Sequence, residues 1–196
     1  MGGKWLLAPW IISHFPKHKI YVEPFGGGGS VLLRKSRVYA EVYNEMDGEM
    51  CNLFRVARDN GQRLKNMLKY TPYSREEFEL SYEVSPDNIE QARRTVVRSF
   101  MGFGSGACSG KNTGFRRFAR KQSASPASDW YNYTNHFDSL IERLRGVVIE
   151  NVDAAKVMET QDTPDTLHYI DPPYMPKSRD KGSDYRFEMS QDDHIQ

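Results

Sequence analysis

Four consecutive residues have the chemistry to hold a flat substrate: Asp171, Pro172, Pro173 and Tyr174. The two prolines keep the chain stiff and extended, which leaves its carbonyl groups available as hydrogen-bond acceptors. A carboxylate, a fixed carbonyl and an aromatic ring suit an exocyclic amine, because it donates two hydrogen bonds in the plane of a ring that can stack. The sequence therefore indicates a nucleobase amine as the reacting group. The alternative is a turn in which Asp171 only caps the following segment.

A second candidate site is the glycine-rich run at residues 25–30, which begins with Phe25 and ends with Ser30. An apolar strand pattern at 20–24 precedes it, and residues 31–35 are expected to open a helix. The backbone can approach a ligand closely at the four glycines of the run, which are Gly26, Gly27, Gly28 and Gly29. The pattern does not match the dinucleotide fingerprint, because position 31 is Val31 rather than glycine.

An acidic residue follows the next strand pattern, at residues 38–43. Glu45 lies nineteen positions after Gly26, where a carboxylate in a nucleoside-binding α/β unit accepts hydrogen bonds from both ribose hydroxyls. Asp47 is expected to cap a helix at residues 48–58. If Glu45 does not bind ribose, the role passes to Asp47 or Asn44.

These candidates must be positioned by strands, since each follows a strand pattern. The four patterns lie at residues 20–24, 38–43, 147–151 and 167–171, and the last is expected to be covered on both faces. In open α/β sheets, ligands bind at the carboxyl ends of the strands. Asp153 follows the third pattern and either contacts the adenine of a nucleoside cofactor or caps the next helix. The sequence therefore predicts an α/β fold.

Between residues 58 and 146 the strand signal lapses and helical patterns replace it. Ser74 opens one of these helices with a capping-box signature. Residues 91–128 contain eight Lys or Arg and no Asp or Glu, and basic residues alternate with aromatic ones. Such a segment suits a nucleic-acid backbone, although a flexible loop of ordinary composition is the alternative. The DNA-binding candidates are Lys111, Arg116, Arg117, Arg120 and Lys121.

Composition excludes several classes. The chain has 196 residues and a net charge of +1, so the overall charge does not indicate a particular class of binding partner. Its two cysteines, Cys51 and Cys108, lie far apart and outside any zinc-binding spacing, which argues against a metal site and a disulfide scaffold. No stretch is long and apolar enough to predict a signal peptide or membrane anchor. We expect a cytoplasmic protein, in a bacterial or phage-infected cell.

Six segments together resemble the Dam-like family of site-specific N6-adenine DNA methyltransferases, especially its phage and prophage members. They are GGKW, YVEPFGGGGS, NEMD, YSREEF, IENVDA and IDPPY, and the resemblance covers nearly the whole chain. It implies a Rossmann-like domain that binds S-adenosylmethionine, formed by residues 1–58 and 146–196. Residues 59–145 would form an inserted, mainly helical domain that recognises the DNA target.

The resemblance also implies roles for residues. Asp171, Pro172, Pro173 and Tyr174 would hold a flipped adenine, and no metal would take part. The cofactor would contact Lys4, Trp5, Glu23, Phe25, Gly26, Gly27, Gly28, Gly29, Ser30, Asn44, Glu45, Asp153 and Asp171. One departure is Glu45, since the family usually has aspartate at the ribose position.

The sequence thus predicts methyl transfer from S-adenosylmethionine to adenine N6 in double-stranded DNA. One alternative is a catalytically inactive, nucleic-acid-binding remnant of such an enzyme. A further alternative keeps the enzyme but replaces the acceptor by RNA or a protein amide. Because no strand pattern follows residues 167–171, we also expect the chain to be a fragment of a longer enzyme, with one sheet edge exposed.

Overall fold

A four-stranded parallel sheet organises the computed structural model of the chain, which describes residues 4–103, 113–117 and 125–173. The strands are β1 (Ile20–Glu23), β2 (Ala40–Asn44), β3 (Val147–Glu150) and β4 (Thr166–His168). Their order across the sheet is β3-β2-β1-β4, and every neighbouring pair is parallel. The carboxyl ends of all four strands therefore lie along one edge, which confirms the predicted Rossmann-like α/β class.

The described helices comprise one short N-terminal helix, six in the middle of the chain and one between β3 and β4. They are α1 (Ala8–Ser13), α2 (Gly48–Asp59), α3 (Gly61–Tyr70), α4 (Arg75–Leu80), α5 (Asn88–Met101), α6 (Pro126–Tyr133), α7 (Phe137–Leu144) and α8 (Ala154–Gln161). Ser74 caps α4 as predicted, because its hydroxyl accepts a hydrogen bond from the Glu77 N–H at 3.1 Å. Helix α6 was not anticipated. None of the described helices is long and apolar enough to cross a membrane.

Contacts divide the chain into two compact units, Met1–Cys51 with Gly146–Gln196, and Asn52–Arg145. The first unit contains the sheet. On one sheet face, Val22 and Val42 pack against Val157 of α8, with Ile20 and Val152 at the margin. Side chains alternate along a strand, so the neighbouring positions of β1 and β2 lie on the opposite face.

That opposite face carries buried polar groups. Lys35 and Glu41 form an ion pair at 2.6 Å with side chains 3% and 4% exposed. The Lys35 ammonium also lies 4.5 Å from the centre of the Tyr21 ring, and the Tyr21 hydroxyl donates to Glu23 at 2.9 Å. Burial is the main cause that raises the pKa of the Tyr21 hydroxyl, and the nearby Glu23 charge adds to it. The hydroxyl therefore stays protonated and acts as a hydrogen-bond donor.

The helix predicted at residues 31–35 is wrong, because the chain makes only a turn there. Its bonds run from the Leu33 N–H to the Gly29 carbonyl at 2.9 Å and from the Lys35 N–H to the Val31 carbonyl at 3.0 Å. The turn ends where the Lys35 side chain donates to the Ser36 carbonyl and to Glu41, inside the protein. The ion pair joins residues six positions apart and lies directly after the turn.

The last strand also ends earlier than predicted. Its pairing stops at His168, three residues before Asp171, and one further bond joins the Tyr169 N–H to the Val22 carbonyl at 2.8 Å. In a parallel ladder the next bond would come from the N–H of residue 24, which is a proline and has none. The expectation that both faces are covered is wrong for these residues, since β4 is half-buried and Ile170 is 53% exposed.

The second unit is helical, and its buried core combines aliphatic side chains such as Leu64, Val97 and Met101 with polar and aromatic ones. Arg93 of α5 donates to Glu77 at 2.6 Å and to Glu90 at 2.7 Å. Trp130 of α6 stacks on Tyr133 and donates its ring N–H to the Thr71 carbonyl at 2.8 Å.

Candidate active site

The glycine loop connects the end of β1 to the turn at residues 29–35. The Gly26 N–H donates to the Asn44 carbonyl at 2.8 Å, and the Gly29 N–H donates to the Gly26 carbonyl at 2.8 Å. Gly27 and Gly29 have φ angles of 50° and 62°, a conformation that residues with a Cβ rarely adopt. A Cβ at Gly27 would meet nothing within 4 Å, so the exposed side of the loop is open.

Tyr43 supports this loop from below. A Cβ placed on Gly26 would lie 2.0 Å from the Tyr43 Cε2 atom, so only glycine fits over the ring. The Tyr43 side chain is fully buried, and its hydroxyl donates to the Gly27 carbonyl at 2.5 Å. This support has no signature in the sequence, where Tyr43 matches an ordinary strand pattern.

Glu45 follows β2 and contacts the same loop. Its carboxylate accepts hydrogen bonds from the Gly27 N–H at 2.6 Å and from the Asp47 N–H at 3.0 Å. Burial raises the pKa of the Glu45 carboxyl, and these two N–H groups act in the opposite direction. Asp47 accepts from the Glu49 N–H at 2.9 Å, which confirms its predicted role as the cap of α2. The two acids therefore occupy different positions, and Glu45 is the one that reaches the glycine loop.

Two predicted cofactor residues are buried at the ends of their strands. Asn44 is 0% exposed, and its amide donates to the carbonyls of Pro24 and Val152 and accepts from the Val152 N–H. Glu23 is 2% exposed and accepts from the Tyr21 hydroxyl and from the Leu32 N–H at 3.0 Å. Both side chains hold the loops at the sheet edge together.

The β3 end contributes a further pair of loop residues. Asp153 accepts from the N–H groups of Ala155 and Lys156, so it caps α8, as one of the two predicted alternatives had it. Asn151 donates to the carbonyls of Glu45 and Met46 at 2.6 and 3.1 Å. Met46 is 43% exposed directly after Glu45 and offers an apolar surface.

Asp171 forms an ion pair with Lys4, near the first residues of the chain. The Lys4 ammonium contacts the Asp171 Oδ1 atom, and their side chains are 29% and 27% exposed. Among the described residues no other hydrogen-bond partner is recorded for the Asp171 carboxylate. Pro172 and Pro173 are half-buried, whereas Tyr174 lies outside the described residues.

The remaining cofactor candidates differ in how far their side chains are exposed. Phe25 is half-buried and Ser30 is 8% exposed, within the turn of the glycine loop. Trp5 is 36% exposed next to Lys4. Gly28 is exposed.

Of the DNA-binding candidates, only Arg116 and Arg117 are described, and Lys111, Arg120 and Lys121 lie outside the described residues. Arg117 is exposed, but Arg116 is half-buried, pairs with Asp129 at 3.0 Å and lies over the Phe100 ring. The two arginines therefore differ in surroundings.

The YSREEF motif anchors their segment within the second unit. The Phe115 ring packs against Tyr73 and Phe78, with centroids 5.3 and 5.6 Å apart, and the Arg75 guanidinium lies over it. Phe115 also pairs with Gly102 in an antiparallel bridge. The motif thus fixes residues 113–117 on the helical unit.

Across the described residues, no cluster of His, Cys, Asp and Glu is arranged to hold a metal ion. A family model for D12 class N6 adenine-specific DNA methyltransferases matches residues 1–196, the whole chain. The family is one of enzymes that act on DNA, in agreement with the parallel sheet and the polar residues at its carboxyl edge. The chain belongs to the D12 class of N6 adenine-specific DNA methyltransferases.

Proposed function

We propose that this chain transfers the methyl group of S-adenosylmethionine to N6 of an adenine extruded from double-stranded DNA. The observation that carries the proposal is the convergence of three groups on one sheet edge. The glycine loop follows β1, Glu45 follows β2 and Asp171 follows β4. We expect the reaction in the cytoplasm of a bacterial or phage-infected cell, where such DNA is found.

The residues at this edge fit the cofactor in three respects. The space above Gly27 is open, which allows a ligand to lie against the backbone. The Glu45 carboxylate beside it can accept hydrogen bonds from ribose hydroxyls, and the exposed Met46 side chain can cover an adenine ring. When bound, S-adenosylmethionine supplies an electrophilic methyl group on a sulfonium centre.

The chain's own residues would orient the acceptor. Asp171, through its Oδ2 atom, and the Pro172 carbonyl would accept the two hydrogens of the adenine amine, which turns the nitrogen lone pair out of conjugation with the ring. Tyr174 would stack on the base. Because N6 is unreachable inside a duplex, the base must first leave the stack. Positioning and fixed dipoles would supply most of the acceleration, without a metal or a covalent intermediate.

The second unit would recognise the DNA target. Arg117 is exposed on a segment that the YSREEF motif fixes in place, so it can contact phosphates from a defined position. Contacts of this kind give affinity that is independent of sequence and falls with salt.

The test is to incubate the protein with labelled S-adenosylmethionine and an adenine-containing duplex, then digest the DNA and identify the methylated nucleoside. We expect N6-methyl-2′-deoxyadenosine from the wild type and none from Asp171→Ala, with cofactor affinity nearly unchanged in the variant. Full turnover by Asp171→Ala would remove this residue from the mechanism. Cofactor binding without transfer to DNA, by the wild type, would favour the inactive remnant, and transfer to RNA or protein would change the acceptor.

A further inference from the structure

The contact between Lys4 and Asp171 requires a fixed N-terminal segment. A lysine side chain has four rotatable bonds, and both members of this pair are only partly buried. A partly exposed ion pair keeps one geometry only if other contacts hold the backbone that carries the lysine in place. The residue next to Lys4 is held in this way.

Arg34 fixes that residue by two contacts. Its Nη1 atom donates to the Trp5 carbonyl at 2.6 Å, and its guanidinium carbon lies 5.1 Å from the centre of the Trp5 ring. A planar guanidinium can make both contacts at once, because its edge donates while its face stacks. Trp5 is therefore held in both its backbone and its side chain.

Arg34 is itself anchored to the glycine loop. It belongs to the turn in which the Leu33 N–H bonds to the Gly29 carbonyl and the Arg34 N–H bonds to the Val31 carbonyl at 3.1 Å. Below it, Leu32 is 0% exposed and donates its N–H to the buried Glu23. One rigid piece of backbone thus carries the glycine loop at one end and Arg34 at the other.

We propose that Arg34 is a positioning residue that acts through Trp5 and Lys4 to orient the Asp171 carboxylate. Lys4 holds Oδ1, which aims Oδ2 at the position of the target amine. The loop that would hold the cofactor and the carboxylate that would hold the acceptor are then aligned by the same turn. This inference rests on the proposed function for its effect on turnover, but the contact itself can be measured without activity.

The first experiment measures the contact chemically. A carbodiimide joins an amine to a carboxylate at zero length, so it should link Lys4 to Asp171 in the wild type, as detected by mass spectrometry of the digest. Arg34→Ala should lower the yield of this cross-link about tenfold. The internal control is the exposed pair of Lys19 with Asp165, whose side chains are 2.7 Å apart. Both residues lie at the amino ends of β1 and β4, away from the site, so their cross-link should not change.

The second experiment is a double-mutant cycle on turnover. Arg34→Ala should lower kcat about tenfold, the scale on which small misplacements act, with KM for cofactor changed by less than about twofold. In a Lys4→Ala background, Arg34→Ala should have no further effect. Arg34→Lys keeps a donor but not the stacked plane, so it should recover only part of the loss, and Lys19→Ala should behave as wild type.

The outcomes separate the two proposals. An unchanged Lys4 to Asp171 cross-link in Arg34→Ala, or losses in kcat that add in the double variant, would overturn the positioning role. If the cross-link depends on Arg34 while the wild type methylates no adenine, the positioning contact stands and the proposed function fails.

Discussion

The substitution Gly26→Ala tests whether the glycine loop must lie directly on Tyr43. The added Cβ would be 2.0, 2.5 and 2.7 Å from the Cε2, Cδ2 and Cζ atoms of the Tyr43 ring. The ring cannot turn aside easily, because the side chain is fully buried and its hydroxyl is bonded to the Gly27 carbonyl. Either the loop rises or the ring shifts and loses this hydrogen bond.

The expected cost has two parts. Overpacking at a buried site costs about 1 to 3 kcal/mol, and loss of the Tyr43 hydrogen bond costs about 0.5 to 1.5 kcal/mol. We therefore expect Gly26→Ala to lower the free energy of unfolding by about 1.5 to 4.5 kcal/mol. Because the same movement displaces the Gly27 N–H from Glu45, the affinity for S-adenosylmethionine should fall by at least about tenfold.

Denaturant unfolding and calorimetric titration with S-adenosylmethionine measure the two effects. The matched control is Gly27→Ala, where the Cβ meets open space and only the φ of 50° is strained, at a cost of about 1 to 2 kcal/mol. In a Tyr43→Ala background, Gly26→Ala should lose most of its cost, because the ring that it strikes is gone. If Gly26→Ala is as stable as the wild type, or equally costly with and without the Tyr43 ring, the packing explanation is refuted.

Two further predictions concern the cofactor and the DNA. Glu45→Gln should weaken S-adenosylmethionine binding by about 1.5 to 3 kcal/mol if a charged acceptor for ribose hydroxyls is lost. Burial raises the pKa of Glu45, so the wild-type affinity for S-adenosylmethionine should begin to fall at a higher pH than it would with a glutamate of ordinary pKa. Glu45→Gln should lack this pH dependence. An identical pH profile in the two proteins would contradict the prediction. Arg117→Glu should weaken binding to all DNA sequences and flatten the salt dependence. Arg116→Glu should also destabilise the second unit, because it places a carboxylate beside Asp129. If both variants bind DNA normally with an unchanged salt slope, the segment is an ordinary loop without a role in DNA binding.

Local chemistry allowed much of the fold to be predicted from the sequence. The caps Ser74 and Asp47, the strand patterns and the glycine loop each depend on residues within a few positions, and the structure has them close to where the patterns put them. The family resemblance rested on the same short segments, and the match to residues 1–196 confirms it. The predicted role of Asp47 as the cap of α2 was also correct, since the cap geometry follows from the spacing, whereas ribose binding by Glu45 stays a prediction.

Tertiary structure decided which of these side chains are buried by contacts inside the protein. Asn44 and Glu23 lie at strand ends, and their side chains are bonded to Pro24 and Val152 and to Leu32, respectively. The pairs Lys35 with Glu41, Arg116 with Asp129 and Lys4 with Asp171 have no signature in the sequence. Parallel pairing brings together strands that are distant in the chain. The partners of a residue at the sheet edge are therefore fixed by the order of the strands, which short-range patterns do not encode.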